Sequence, residues 1–99
     1  MAQTMTLAMH DWIFEKASVD WKEAVARLEF NWHGKLKVVR ATGLSDIHLP
    51  RQLPSGPSDA VDRCDGPTRL RSGGYGLAIE MQSGDKIELV ARQFEMPSP

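Results

Sequence analysis

Residues 77–91 read LAIEMQSGDKIELVA and contain two short alternating segments on either side of a polar tract. In 77–81 the large apolar side chains stand at every second position, and 87–91 repeats that pattern. An alternation of period two is typical of a strand with one buried face. Gly84 lies between the segments and can adopt the positive φ that a short hairpin loop requires. The stretch therefore predicts a β-hairpin.

The first half of the chain contains two further candidates for short strands. Residues 36–41 include two adjacent valines, which favour pleated backbone. Gly34 and Gly43 are expected to supply the turns on either side. Residues 46–49 predict a short strand with apolar side chains facing inward and His48 facing outward. The proline that follows cannot donate a ladder hydrogen bond, so this strand is expected to end there or to lie at an edge.

The stretch from residue 50 to residue 76 is rich in proline and glycine and is the irregular part of the chain. A long segment without secondary structure is uncommon inside a compact domain. We therefore expect a short strand near 60–63 and another around 68–71, separated by turns.

Residues 20–34 fit both a helix and a strand. In a helix, Asp20 would cap the N-terminus with Glu23 three residues later. In a strand, apolar residues alternate along the segment, and Phe30 joins the apolar face, where a helix would place it on the opposite side. Local propensity alone favours the helix, so a helix over 21–33 stays open as an alternative.

Length and composition suit one ordinary globular domain. The chain has 99 residues, of which 41% are hydrophobic and 25% charged. A formal net charge of −1 argues against nucleic acid or an anionic membrane as the partner. No apolar run approaches the roughly 18–20 residues that a membrane span requires. Residues 1–8 have no secretory-signal pattern and are expected to be a disordered leader, with the cytoplasm as the expected compartment.

The sequence has no motif for catalysis, metal binding or cofactor binding. No two of the three histidines have the spacing of a metal-ligand pair, and neither a Gly-x-Ser-x-Gly elbow nor a phosphate-binding loop occurs. The single cysteine, Cys64, excludes an internal disulfide. We therefore assign no catalytic residue, no metal and no cofactor, and an enzyme is the less favoured class.

Four blocks stand in a defined order: HDW at 10–12, VDW at 19–21, PRQLPSGPS at 50–58 and EMQSGD at 80–85. In this order they resemble a group of short, uncharacterised bacterial proteins that open with His-Asp and carry a central Pro-Arg-x-x-Pro-x-Gly-Pro-Ser block. The resemblance implies a mostly antiparallel β fold in which 20–23 is a hairpin turn and 24–32 the returning strand. It implies no established activity, although some comparable proteins are regarded as immunity-like partners of toxins.

The pattern and the resemblance together predict a mainly β fold, a small antiparallel β-sandwich or open barrel of six to eight strands. The alternative is an α+β fold that contains the helix described above. A single domain spanning residues 1–99 is expected.

The favoured function is a non-catalytic protein-interaction module. Sheet edges in an open fold leave unpaired N–H and C=O groups that invite a further strand, from a protein partner or from a second copy in a homodimer. Trp21 stands at the predicted hairpin turn and is expected to be exposed there as a contact anchor. Trp12 and Trp32 are expected to lie in the core.

The alternative function is a small-ligand binder or enzyme with a pocket built from His10, Asp11, His48 and Arg51. Asp11 is also a candidate structural residue, expected to accept backbone N–H groups where the first strand begins. Arg51 directly follows a proline, which stiffens its backbone. Its guanidinium is expected to fork onto Asp11 or Asp46, or else to bind an anionic partner.

Overall fold

The backbone forms six β-strands and no helix in a computed structural model that describes residues 9–49 and 60–97. The strands make one antiparallel sheet with the order β1-β2-β3-β6-β5-β4. They are β1 (Ile13–Asp20), β2 (Val25–Trp32), β3 (Lys35–His48), β4 (Val61–Arg69), β5 (Tyr75–Met81) and β6 (Lys86–Glu95).

This architecture confirms the prediction of a mainly β, antiparallel fold. The alternative with a helix over 21–33 is wrong, because a four-residue turn at 21–24 leads into β2. The alternation of apolar residues in that segment therefore indicated the correct secondary structure, a strand with a period of two residues. The predicted leader at 1–8 and the block around Arg51 lie outside the described residues.

The sheet is curved but not closed into a barrel. Its two edge strands, β1 and β4, approach each other at one corner, where Ile13 forms an isolated bridge with Ala60. Beside the bridge, the Val61 amide donates to the Trp12 carbonyl at 2.8 Å, and the Asp11 amide donates to the Val61 carbonyl at 2.8 Å. The sequence predicted either a β-sandwich or an open barrel, and this single curved sheet corresponds to the open barrel.

The core lies on the concave face of the sheet. Side chains of neighbouring strands that stand opposite one another in register, such as Leu28 and Val39, point into it and are buried. Trp12 covers one end of this core, with its ring centroid 5.9 Å from that of Phe30. Trp12 is 2% exposed and Trp32 is partly buried against the core, in agreement with the expected positions of both.

β3 is one continuous strand of 14 residues, whereas the sequence predicted two short strands separated by a turn. Gly43 does adopt a positive φ of 68°, but the chain does not reverse there. Instead the register with β6 shifts between Leu44 and Asp46, which marks a β-bulge inside the strand. The positive φ and the extra residue bend β3 without ending it.

Both predicted hairpin turns are present. Between β5 and β6, the Gly84 amide donates to the Met81 carbonyl at 2.9 Å and Gly84 has a φ of 98°. Between β1 and β2, the Glu23 amide donates to Oδ1 of Asp20 at 3.0 Å. The strands predicted near 60–63 and 68–71 are the two ends of β4, which is irregular at its centre.

Candidate functional site

His10 and Asp11 lie together at the corner where the two sheet edges meet. His10 Nδ1 is 3.0 Å from the Asp62 carbonyl oxygen, and Nε2 is 3.5 Å from Oδ1 of Asp11. The hydrogen bond to the Asp62 carbonyl, followed by the negative charge of Asp11, raises the pKa of His10 above its ordinary value of 6.5. The histidine side chain is exposed, so this pair is on the surface.

Asp11 connects the turn before β1 to the β5–β6 hairpin. Its Oδ1 accepts a hydrogen bond from the Gln82 side-chain amide at 2.7 Å. The expected acceptance of backbone N–H groups is replaced here by that side-chain contact, while the Asp11 backbone amide itself donates to Val61. The residue also has a φ of 70°, a conformation in which aspartate is over-represented. These contacts describe a structural linker at the closing corner of the sheet.

His48 lies at the end of β3, apart from this corner. It stands opposite Glu88 of β6, and no contact between described residues joins it to His10 or Asp11. Arg51 lies outside the described residues, so the four-residue pocket stays a prediction. Within 9–49 and 60–97, no group of three histidine, cysteine or acidic side chains could hold a metal ion.

The structure does form an open groove elsewhere, between the β1–β2 turn and the far part of β3. Its volume is about 290 Å³. We call it the Trp21 groove, lined by Val19, Trp21, Leu44, Ser45, Asp46 and Ile47. Trp21 is 92% exposed, and Val19 is also partly open to solvent, so the groove offers apolar surface that nothing in the described chain covers.

The groove is apolar because it continues the concave face of the sheet. Val19 stands opposite the buried Ala26, and Ile47 stands opposite the buried Leu89, so both side chains point to the core side. The C-terminal part of β3 extends beyond the first residue of β2. The last hydrogen bond from β3 toward the β1–β2 turn runs from the Leu44 amide to the Ala24 carbonyl at 2.8 Å. Beyond that point, none of the strands that the structure describes lies beside the apolar face to cover it.

The same overhang leaves one edge of β3 unpaired. Residues 46–48 pair with β6 on one side, and among the described residues no strand pairs with them on the other. Ser45 turns its hydroxyl back to the Val90 carbonyl at 3.2 Å. The groove therefore combines an accessible strand edge with an exposed tryptophan beside it.

Sequence reasoning found Trp21 but missed the partners that make it part of a groove. The sequence places Ile47 in a short predicted strand and Val19 and Leu44 in none, and it gives no indication that these residues meet the hairpin turn. The one available signal was the length of β3. A strand recognised as running continuously from residue 35 to residue 48 necessarily outruns the eight-residue β2 beside it.

Comparison of the chain with family models, with curated proteins and with solved structures returns no match. In the part of the chain that the structure describes, no helix has the length and apolar character to cross a membrane.

Proposed function

We propose that this protein is a non-catalytic interaction module that binds a protein partner at the Trp21 groove. The observation that carries the proposal is the placement of Trp21, 92% exposed, beside an unpaired strand edge. Tryptophan is strongly enriched among the residues that dominate protein interfaces. An unpaired strand edge supplies a row of backbone donors and acceptors for a further strand.

The polar corner favours this proposal over a catalytic site. The carboxylate of Asp11 is engaged by Gln82, and His10 is engaged by the backbone of Asp62. A general base must reach a substrate proton within hydrogen-bond distance, and these contacts direct His10 to β4 and Asp11 to the β5–β6 turn of the protein itself. The groove, in contrast, has a mainly apolar lining, and the β3 edge beside it is unpaired among the described residues.

Site-specific photo-crosslinking in the source cells tests the proposal. A photoreactive phenylalanine analogue replaces Trp21 in one variant and Lys35 in the control. Lys35 is also exposed but lies at the other end of β3, about 30 Å along the strand from Leu44 of the groove. We expect a discrete crosslinked protein species from position 21 and none from position 35.

Mass spectrometry of the crosslinked band identifies the partner chain. The proposal is overturned if position 21 gives no crosslink above that of position 35. A band that contains a different protein and a band that contains two copies of this chain both support an interaction role. They differ in the identity of the partner.

A further inference from the structure

We infer that the partner at the Trp21 groove is a second copy of this chain, joined by antiparallel pairing of the two β3 edges about a two-fold axis at Ile47. This inference rests on the proposed function and adds the identity of the partner. A symmetric dimer requires the same surface patch on both subunits to be self-complementary. The sequence along the unpaired edge of β3 meets that requirement.

The polar side chains on the edge are complementary in one register, because a carboxylate accepts a hydrogen bond from an imidazole N–H. Antiparallel pairing centred on Ile47 places Asp46 of one copy opposite His48 of the other, twice by symmetry. Asp46 and His48 both point to the convex face, because they stand opposite Val90 and Glu88, which alternate with the buried Leu89. Both residues are exposed, so the two carboxylate–imidazole pairs can form on that face without burying a charge.

The neighbouring registers are less favourable. Centring the pair on Asp46 places two carboxylates directly opposite each other, and centring it on His48 does the same for two imidazoles. The intermediate registers, which pair position 46 or 48 with position 47, would place the apolar side chain of one copy on the same side as the convex face of the other. The register at Ile47 is thus the one that opposes unlike groups.

The apolar side of the same pairing covers the groove. Ile47 lies on the axis and faces its own copy on the concave side, where Val19 and Trp21 of each subunit stand beside it. An edge of only a few residues buries a small area, which is typical of weak, transient association. We therefore expect a monomer–dimer equilibrium that responds to protein concentration.

Charge reversal tests the register, with sedimentation equilibrium as the measurement. Asp46→Lys places a lysine opposite the partner's imidazole and is expected to weaken dimerisation roughly tenfold. Combining it with His48→Glu places unlike charges in both pairs and is expected to recover the parent's dissociation constant. A glutamate at position 48 also stands opposite Glu88 of its own chain, so His48→Glu alone is the matched control for that contact.

Disulfide trapping gives an independent readout of the axis. In the inferred dimer the two copies of residue 47 are directly opposite, so Ile47→Cys is expected to crosslink on mild oxidation. In the control His48→Cys, the two cysteines are offset along the strands by two residues, so their Cα atoms are roughly 8 Å apart, beyond the span of a disulfide. The native Cys64 is buried and leaves both experiments undisturbed.

Several results would overturn the inference. They are a parent that stays monomeric up to sub-millimolar concentration, a double variant that dimerises no better than Asp46→Lys, or equal trapping at positions 47 and 48. If one of them is accompanied by crosslinking of position 21 to a different protein, the partner is wrong and the interaction role stands. If position 21 crosslinks to nothing, the interaction role fails as well.

Discussion

At the scale of single residues, two of the tryptophans occupy opposite environments although each follows an aspartate in the sequence. Trp12 is 2% exposed, packs against Phe30 and has the Lys37 ammonium 5.7 Å from its ring centre. Trp21 is 92% exposed on a turn. Because the residue type is the same, we expect the two tryptophans to contribute differently to the free energy of unfolding only through their different surroundings.

Alanine substitution of the two tryptophans is expected to separate these contributions. Trp12→Ala removes a large buried side chain and leaves a cavity, which is expected to lower the free energy of unfolding by about 3–5 kcal/mol. Trp21→Ala is expected to change it by no more than about 0.5 kcal/mol. Urea unfolding followed by circular dichroism measures both, since that signal does not depend on the tryptophan removed. Equal losses in the two variants would contradict the assigned environments.

Cys64 makes stability dependent on pH in the alkaline range. Burial, followed by the negative charge of Asp65, raises the pKa of Cys64 from 9.0 to about 11. Between these values the unfolded chain loses the thiol proton while the folded chain keeps it. The free energy of unfolding is therefore expected to be insensitive to this group below pH 9.0 and to fall as the pH rises toward about 11.

The matched variant for this prediction is Cys64→Ala. Other ionisable groups titrate in the same range in both proteins, so the quantity to compare is the slope of unfolding free energy against pH. The free energy of unfolding is expected to fall more steeply with pH in the parent than in Cys64→Ala. Parallel curves would show that Cys64 ionises equally in the folded and unfolded states.

At the scale of elements, β4 depends on a glycine at its irregular centre. Gly66 has a φ of 106°, and a Cβ built there would lie 2.7 Å from the Gly76 carbonyl oxygen of β5. That neighbour is backbone in the adjacent strand, which cannot move without disturbing the pairing. Gly84, in the β5–β6 turn, has a similar φ of 98° but no atom within 4 Å of the same position.

Alanine at these two glycines is expected to distinguish backbone strain from steric overlap. Gly84→Ala introduces only the strain of a positive φ, which is expected to lower the free energy of unfolding by about 1–2 kcal/mol. Gly66→Ala adds the clash with β5 and is expected to cost several kcal/mol in total, or to prevent folding. Thermal unfolding of the two variants measures the difference. Similar melting temperatures would show that β4 and β5 can separate at this point.

The β1–β2 element shows why a local signature can point to the wrong structure. Asp20 followed three residues later by Glu23 is typical of a helix start, and the bond it predicts does form between the Asp20 carboxylate and the Glu23 amide. A tight turn uses the same bond. The signature therefore identifies a chain reversal or a helix start equally well, and only the residues that follow decide between them.

At the scale of the whole molecule, the groove results from strands of unequal length in one curved sheet. β2 has 8 residues and β3 has 14, so β3 continues past the β1–β2 turn. The core face continues with it and becomes accessible beside Trp21. The sheet thus exposes the Trp21 groove where strand pairing stops, which links the proposed binding site to the topology.

The candidate site could be predicted only in part. The exposure of Trp21 was expected from its place between Asp20 and Lys22 at a turn, and the structure agrees. The contact between that turn and β3 could not be predicted, because it depends on which strand lies beside β2 and how far it extends. His10 and Asp11 are adjacent in the chain, but their partners, Asp62 and Gln82, are 52 and 71 residues away.

The sequence by itself determined the β class and the strongest hairpin. The alternation in 77–91 and the turn at Gly84 are local properties, because side-chain direction in a strand repeats every two residues whatever the neighbouring strand is. In β2 the alternation of apolar residues indicated a strand against the local helical propensity, whereas tertiary structure alone decided that β3 runs through Gly43 and that β3 overhangs β2. Each of these depends on pairing with a distant strand, since hydrogen bonds and buried contacts between strands, rather than local propensity, select the conformation there.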